Sequence, residues 1–289
     1  MLGCIQFTLS NWVNGSDARA IVWNIIGGGI VIGIGWLCVK LRQWLHCRNL
    51  QRFLGFQFAP ETVLRIAYGQ LLLVLPSQNN SVITHPYSKA PRFGGPQPLP
   101  GAISIQHPVS ESEVRAAAYI ASLIGIPAKV QTPVVSDVEV DQLLNSNFIA
   151  VGGIGSNYKT ADILASSANI FIQMLSNDLT LPTGESLPHS YPAGVERGFI
   201  LRITSPQFPD RSWIVCAGLG EYGTSGSAWY LAHRWEKLVS LVDPDAQNLQ
   251  FKPIPDFCAI VTVTTGQDQS TTLAELYRNQ NGQLQQIQL

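Results

Sequence analysis

The residues with the clearest capacity for chemistry lie in two glycine-rich turns. The first is Gly152-Gly153-Ile154-Gly155-Ser156-Asn157, and the second is Gly218-Leu219-Gly220-Glu221-Tyr222-Gly223-Thr224. Each follows a short apolar run and precedes a helical pattern, so each reads as a strand–turn–helix joint. Glycines let a backbone come close to a phosphate, and the N–H groups of the first helical turn attract an anion. The second turn matches GxGxxG in the context a dinucleotide fingerprint needs. Glu221 stands against that reading, because it puts a carboxylate beside the phosphate position. The expected ligand-binding set is therefore Gly152, Gly153, Gly155, Ser156, Asn157, Gly218, Gly220, Glu221, Tyr222, Gly223 and Thr224, with no particular cofactor implied. Asn157 and Ser156 also serve as ordinary helix caps, and Thr224 and Ser225 sit where caps belong.

Catalytic and metal signals are sparse. Thr224 and Ser225 have no base nearby in sequence, and no GxSxG elbow is present. The histidines, at 46, 85, 107, 189 and 233, show no HxxxH spacing, and no CxxC pair exists to hold zinc. His233 fits better as a neighbour of Trp229 on one helix. A formal net charge of -1 gives no basic field to recruit nucleic acid. The five cysteines are unevenly spaced and read as reduced thiols.

The elements that position the two turns alternate along the chain. Strands are expected near 69–75, 129–135, 148–151, 198–203, 213–217, 259–264 and 271–277. Helices are expected over 110–123, 137–144, 160–175 and 227–242. Ser110 and Glu113 have capping-box spacing. The polar loop 77–108 could cover the sheet edge as a lid. This order predicts an α/β fold, Rossmann-like, with a mainly parallel sheet and helices on both faces. In such a sheet both glycine turns fall on one edge, where ligands bind.

Ahead of this domain lies Ala20–Val39, AIVWNIIGGGIVIGIGWLCV, which carries no charge. About 20 apolar residues cross a bilayer core, and Trp23 and Trp36 stand near the ends of the run. Its six isoleucines and five glycines suit lipid better than a soluble helix. Lys40, Arg42, Arg48 and Arg52 follow, which places the domain beyond them on the cytoplasmic side and sets cations against anionic headgroups. Gly29 and Gly33 make a GxxxG pair, extended by Gly27, a surface for self-association. The expected division is an N-terminal segment, 1–54, with a span at about 20–39 and a juxtamembrane helix, then a cytoplasmic domain over 55–289.

A single span with a cytoplasmic α/β domain, together with GGIGSN (152–157) and AGLGEYGTSG (217–226), resembles bacterial membrane-anchored Rossmann-like proteins. Some proteins of that build act as nucleotide-sensing effectors. The resemblance implies a membrane-anchored sensor that binds a nucleotide or other anionic ligand at the two turns. A tethered enzyme, NAD(P)-dependent or hydrolytic, and a non-catalytic docking module are the alternatives.

Overall fold

The computed structural model describes residues 15–59, 62–74, 87–89, 102–103, 109–125, 130–141, 145–175, 178–188, 194–244 and 252–289. The chain divides into two units, Met1–Cys47 and Arg48–Leu289. In chain order the elements begin with α1 (Gly15–Leu54), β1 (Leu64–Tyr68), β2 (Leu71–Val74), β3 (Tyr87–Lys89), β4 (Ala102–Ile103), α2 (Glu111–Gly125), β5 (Val134–Ser136) and α3 (Asp137–Asp141). They continue with β6 (Asn147–Val151), α4 (Tyr158–Leu164), β7 (Gln173–Leu175), β8 (Asp178–Thr180), β9 (Ser186–Pro188), β10 (Val195–Thr204) and β11 (Ser212–Gly218). The last are α5 (Glu221–Val242), β12 (Phe257–Thr264), β13 (Gln267–Gln280) and β14 (Gln283–Gln286).

In the first unit the expected span is helical throughout, as part of α1. Its side chains are described from Ile30 onward, and all of them from Ile30 to Leu45 are exposed. Among the described residues no helix is long and apolar enough to cross a membrane.

The second unit is built on an eight-stranded sheet in the order β14-β13-β12-β10-β11-β6-β1-β5. The sheet is mixed rather than mainly parallel. β5, β1, β6 and β11 pair in parallel, while β10, β12, β13 and β14 form an antiparallel half that joins at β11. Connection length explains the split. A short turn links β10 to β11, and Thr265-Gly266 alone joins β12 to β13, with Gly266 at φ +84°. Neither is long enough for a parallel crossover, which takes a dozen residues or more.

Both faces of the sheet are covered. The end of α1, together with α2 and α5, packs on one face against Ile66, Ile149, Ile214 and Ile200. α3, α4 and the side chains of Phe171, Ile172, Leu179 and Leu181 pack on the other face against Ala67, Ala150, Val215 and Leu201. Alternate residues of each strand thus enter opposite layers, and β6 and β11 are buried at every position. That is why both read as unbroken apolar runs.

Three expectations shift, and a fourth falls outside the described residues. The first sheet strand is Leu64–Tyr68, and 71–74 instead joins a separate three-stranded sheet with β3 and β4. Apart from those two strands, the expected lid lies outside the described residues. The helix expected over 160–175 stops at Leu164, where Asn169 Nδ2 donates to the Leu164 and Ile172 carbonyls and folds the chain back. The boundary expected at 54/55 falls at 47/48. Leu50, Phe53 and Leu54 are core residues, and the Phe53 ring lies 6.0 Å from Trp235 and 5.8 Å from Phe257. Gly55, at φ +82°, ends α1 with its N–H donating to the Gln51 carbonyl.

Candidate functional site

The parallel register fixes where the glycine turns stand. Val151 pairs with Cys216 and with Tyr68, so β1, β6 and β11 end together. The two turns therefore share one edge, and the Gly152 N–H donates to the Cys216 carbonyl. A Cβ on Gly153 would stand 3.7 Å from the Gly218 carbonyl oxygen. β1 leads into α2 on one face and β6 leads into α4 on the other. Adjacent strands whose connections leave on opposite faces are where open α/β sheets form their ligand crevice.

Here the chain's own side chains occupy that crevice. Glu113, on α2 and almost fully buried, accepts from the Gly69 N–H at 2.9 Å. Its other oxygen lies against Gly152, whose φ of +107° requires glycine. The expected capping box therefore gives way to a tie from helix to strand end. Asn157 Nδ2 donates to the Ala67 and Val151 carbonyls, both at 2.9 Å, and bridges the ends of β1 and β6. Its Oδ1 caps α4 by accepting from the Lys159 and Thr160 N–H groups. Thr160 Oγ1 donates to the Gly152 carbonyl at 2.7 Å. Ser156 donates to the Gly153 carbonyl, and its own carbonyl packs under Gly69.

Carboxylates hold further donors at this edge. Buried Asp137 accepts from the Tyr158 N–H at 2.7 Å and from the Gln70 and Val138 N–H groups at 3.1 and 3.0 Å. Glu196 accepts from the Gly223 N–H at 2.9 Å, in the first turn of α5. A Cβ on Gly220 would strike that same carboxylate. The anion positions at both helix starts are thus filled from within the chain. The field at this edge is negative as well. Burial pushes the Tyr68 phenol up, and Glu139, Asp137 and Glu113 push it further. A phosphate entering here would have to displace a carboxylate already hydrogen-bonded in place.

The fingerprint glycines serve packing. Gly218 and Gly223 lie backbone to backbone, and Gly223 also presses on the Arg197 carbonyl. Gly198, on β10, packs against the Gly223 carbonyl. A side chain at any of the three would collide with main chain, so α5 sits directly on the strand ends. Of the glycines in the two turns, Gly155 alone has open space where a Cβ would stand.

The other expected site residues scatter. Glu221 is exposed. The Tyr222 ring lies 5.0 Å beneath the Arg115 guanidinium. Thr224 donates weakly, at 3.5 Å, to the Gly220 carbonyl. Beside Tyr222, buried Asp268 accepts from Ser225 at 2.6 Å and from Tyr119 at 3.0 Å, and it pairs with Arg115 at 3.2 Å. This cluster neutralises a buried carboxylate and ties β13 to α2 and α5. Ser225 donates there to Asp268 and accepts from Arg115 at 3.3 Å. His233 lies further along α5, stacked on Trp229 at 4.6 Å. Among the described residues no group of three or more His, Cys, Asp and Glu side chains could hold a metal ion.

Sequence reasoning does not connect Glu113, Asp137 and Glu196 to the two turns: Glu113 reads as part of a capping box, and Glu196 only as one of several acid–base candidates. They come from three separate elements, and each lies far from the turn it serves. The available signal was an acidic residue in the first turn of α2 and of α3. No protein-family model matches the chain, and no curated protein matches it either.

Proposed function

We propose that the chain is a membrane-anchored, non-catalytic α/β module, with a single span within α1 and a Rossmann-like body on the cytoplasmic side. The observation that carries this reading is the exposure of α1. Ile30, Val31, Ile32, Ile34, Trp36, Leu37 and Val39 are all exposed, with Val31 at 70% and Ile32 at 75%. A helix that is apolar around its whole circumference needs an apolar surrounding, and a bilayer supplies one for the run 20–39. Lys40, Arg42 and Arg48 follow and favour the cytoplasmic orientation. Arg52 takes no part in that, since it is buried and paired with Asp243. Gly33 and Gly35 have open space where a Cβ would stand, which suits close approach of a second span along the face begun by Gly27 and Gly29.

The body's glycine turns favour a docking module over a sensor or enzyme that uses them. Their helix N-termini are capped by Glu196, Asp137 and Asn157. A nucleotide sensor is the second reading, favoured by the common edge of the two turns and the open space at Gly155. Membrane fractionation tests the first claim. The full chain is expected to stay in the pellet after alkaline carbonate extraction. A variant with Ile32→Arg, Ile34→Arg and Leu37→Arg is expected in the supernatant. Release of the unaltered chain by carbonate would overturn the anchor.

A further inference from the structure

A cavity of about 710 Å³ opens on the opposite edge of the sheet, where the parallel strands begin. Its wall carries Arg65 at the start of β1, Asn145 and Asn147 at the start of β6, and Asp210 and Arg211 just before β11. Phe56 adds an apolar face from the segment after α1. The size lies within the range of about 300–1,000 Å³ common for small-molecule sites.

Arg65 distinguishes this cavity. It is half-buried and, among the described residues, has no hydrogen-bond or ion-pair partner. Two more deeply buried arginines of this unit have anions and carbonyls of their own. Arg202, fully buried, donates to the Phe53 and Ile254 carbonyls and to Asp256, and Arg52 pairs with Asp243. A cation taken partly out of water without an anion is costly, and a guanidinium fork suits a phosphate. Arg211 donates through Nε to the Asn145 side chain at 2.9 Å and through Nη1 to the Asp210 carbonyl, which holds its plane at the cavity wall. The Asp210 carboxylate is an acceptor for hydroxyl groups.

We infer that this cavity binds an organic phosphate bearing hydroxyl groups, with Arg65 and Arg211 gripping the phosphate and Asp210 accepting from a hydroxyl. The phosphate belongs either to a soluble sugar phosphate or to a phosphorylated lipid headgroup. The site lies apart from the glycine turns and does not depend on the membrane reading.

The test uses the full chain in detergent, titrated with glucose 6-phosphate and with glucose, and the full chain in phosphatidylcholine nanodiscs with and without phosphatidylinositol 4-phosphate. One phosphate probe is expected to raise the melting temperature, while glucose and plain nanodiscs leave it unchanged. Arg65→Met and Arg211→Met are each expected to weaken binding at least about tenfold, as loss of a charge-assisted hydrogen bond does. Arg65→Lys keeps the charge, loses the fork, and is expected to fall between. Glu196→Gln, at the far edge, is expected to bind as the unaltered chain does. A shift with glucose 6-phosphate assigns a soluble ligand, and a shift confined to phosphoinositide nanodiscs assigns a headgroup. Absence of any shift with either phosphate probe overturns the proposal. So does full binding by both Arg65→Met and Arg211→Met, or loss of binding in Glu196→Gln.

Discussion

Glu196, at the start of β10, accepts from the Gly223 N–H at 2.9 Å, in the first turn of α5. The helix has Gly220 at its N-cap, with no side-chain cap of its own. A carboxylate from a different strand thus does the work that a cap and a bound anion would otherwise share. Glu196→Ala is expected to destabilise the body by about 1 kcal/mol, with Glu196→Gln intermediate. Urea denaturation of the detergent-solubilised chain measures both. Equal stability of all three proteins would mean that water caps the helix just as well.

Gly223 and Gly155 belong to similar-looking turns and differ in what surrounds them. A Cβ on Gly223 would stand 2.2 Å from the Arg197 carbonyl oxygen, whereas Gly155 faces open space. Gly223→Ala is expected to cost at least about 1–3 kcal/mol, because α5 must lift off the strand ends. Gly155→Ala is expected to be neutral or stabilising by about 0.4–1 kcal/mol, since alanine narrows the unfolded ensemble. Thermal unfolding of the two variants separates them. A large loss at Gly155 would reveal a constraint on that turn that its open surroundings do not explain.

Cys216 and Cys258 are fully buried on opposite faces of the sheet, and burial pushes both thiols well above their usual range. Glu275 adds to the effect at Cys258. The folded chain therefore holds these protons at a pH where the unfolded chain releases them. Stability is fully present below the unfolded thiol value of about 8.5 and falls as pH rises beyond it. Tyr277 acts in the same direction at higher pH, through burial and its contact with Glu275. Urea midpoints should fall steadily from about pH 8.5 upward. The Cys216→Ala, Cys258→Ala double variant should show a shallower fall, and an identical slope would remove the thiols as the cause.

The layers of the fold were legible because burial imposes a pattern. Ile149–Val151 and Trp213–Ala217 are apolar at every position since both faces of the sheet are covered. The shared edge of the two turns followed from that same topology. The antiparallel half was harder to see, because β10 and β12 are buried much like parallel strands, and only the short connections betray their direction. The candidate site was legible in position and not in content. GxGxxG specifies that backbones approach closely at Gly218 and Gly223, and it does not say whether the approach is to a ligand or to another strand. Here Gly223 meets Gly198 and the Arg197 carbonyl on β10 and Gly218 on β11, two strands of the same sheet meeting one helix. Arg65 carried no signal at all, since its lack of a partner is a property of three dimensions.

The end of α1 supplies the body with a piece of its core. Leu50 and Phe53 are fully buried and Leu54 nearly so. Arg52 donates to the Lys252 carbonyl and pairs with Asp243, and the Phe53 carbonyl accepts from Arg202. Removing 1–54 deletes three large apolar side chains and leaves Asp243 and Arg202 short of partners. Each lost core side chain costs about 2–5 kcal/mol, against a total stability of about 5–15 kcal/mol for an ordinary domain. The fragment 55–289 is therefore expected to be insoluble or unfolded. The fragment 48–289, which keeps all three side chains and Arg52, is expected to show one cooperative unfolding transition. Far-ultraviolet circular dichroism on heating distinguishes the two. A cooperative 55–289 would mean that the sheet can close over the gap left by Phe53, and that α1 is a separable anchor after all.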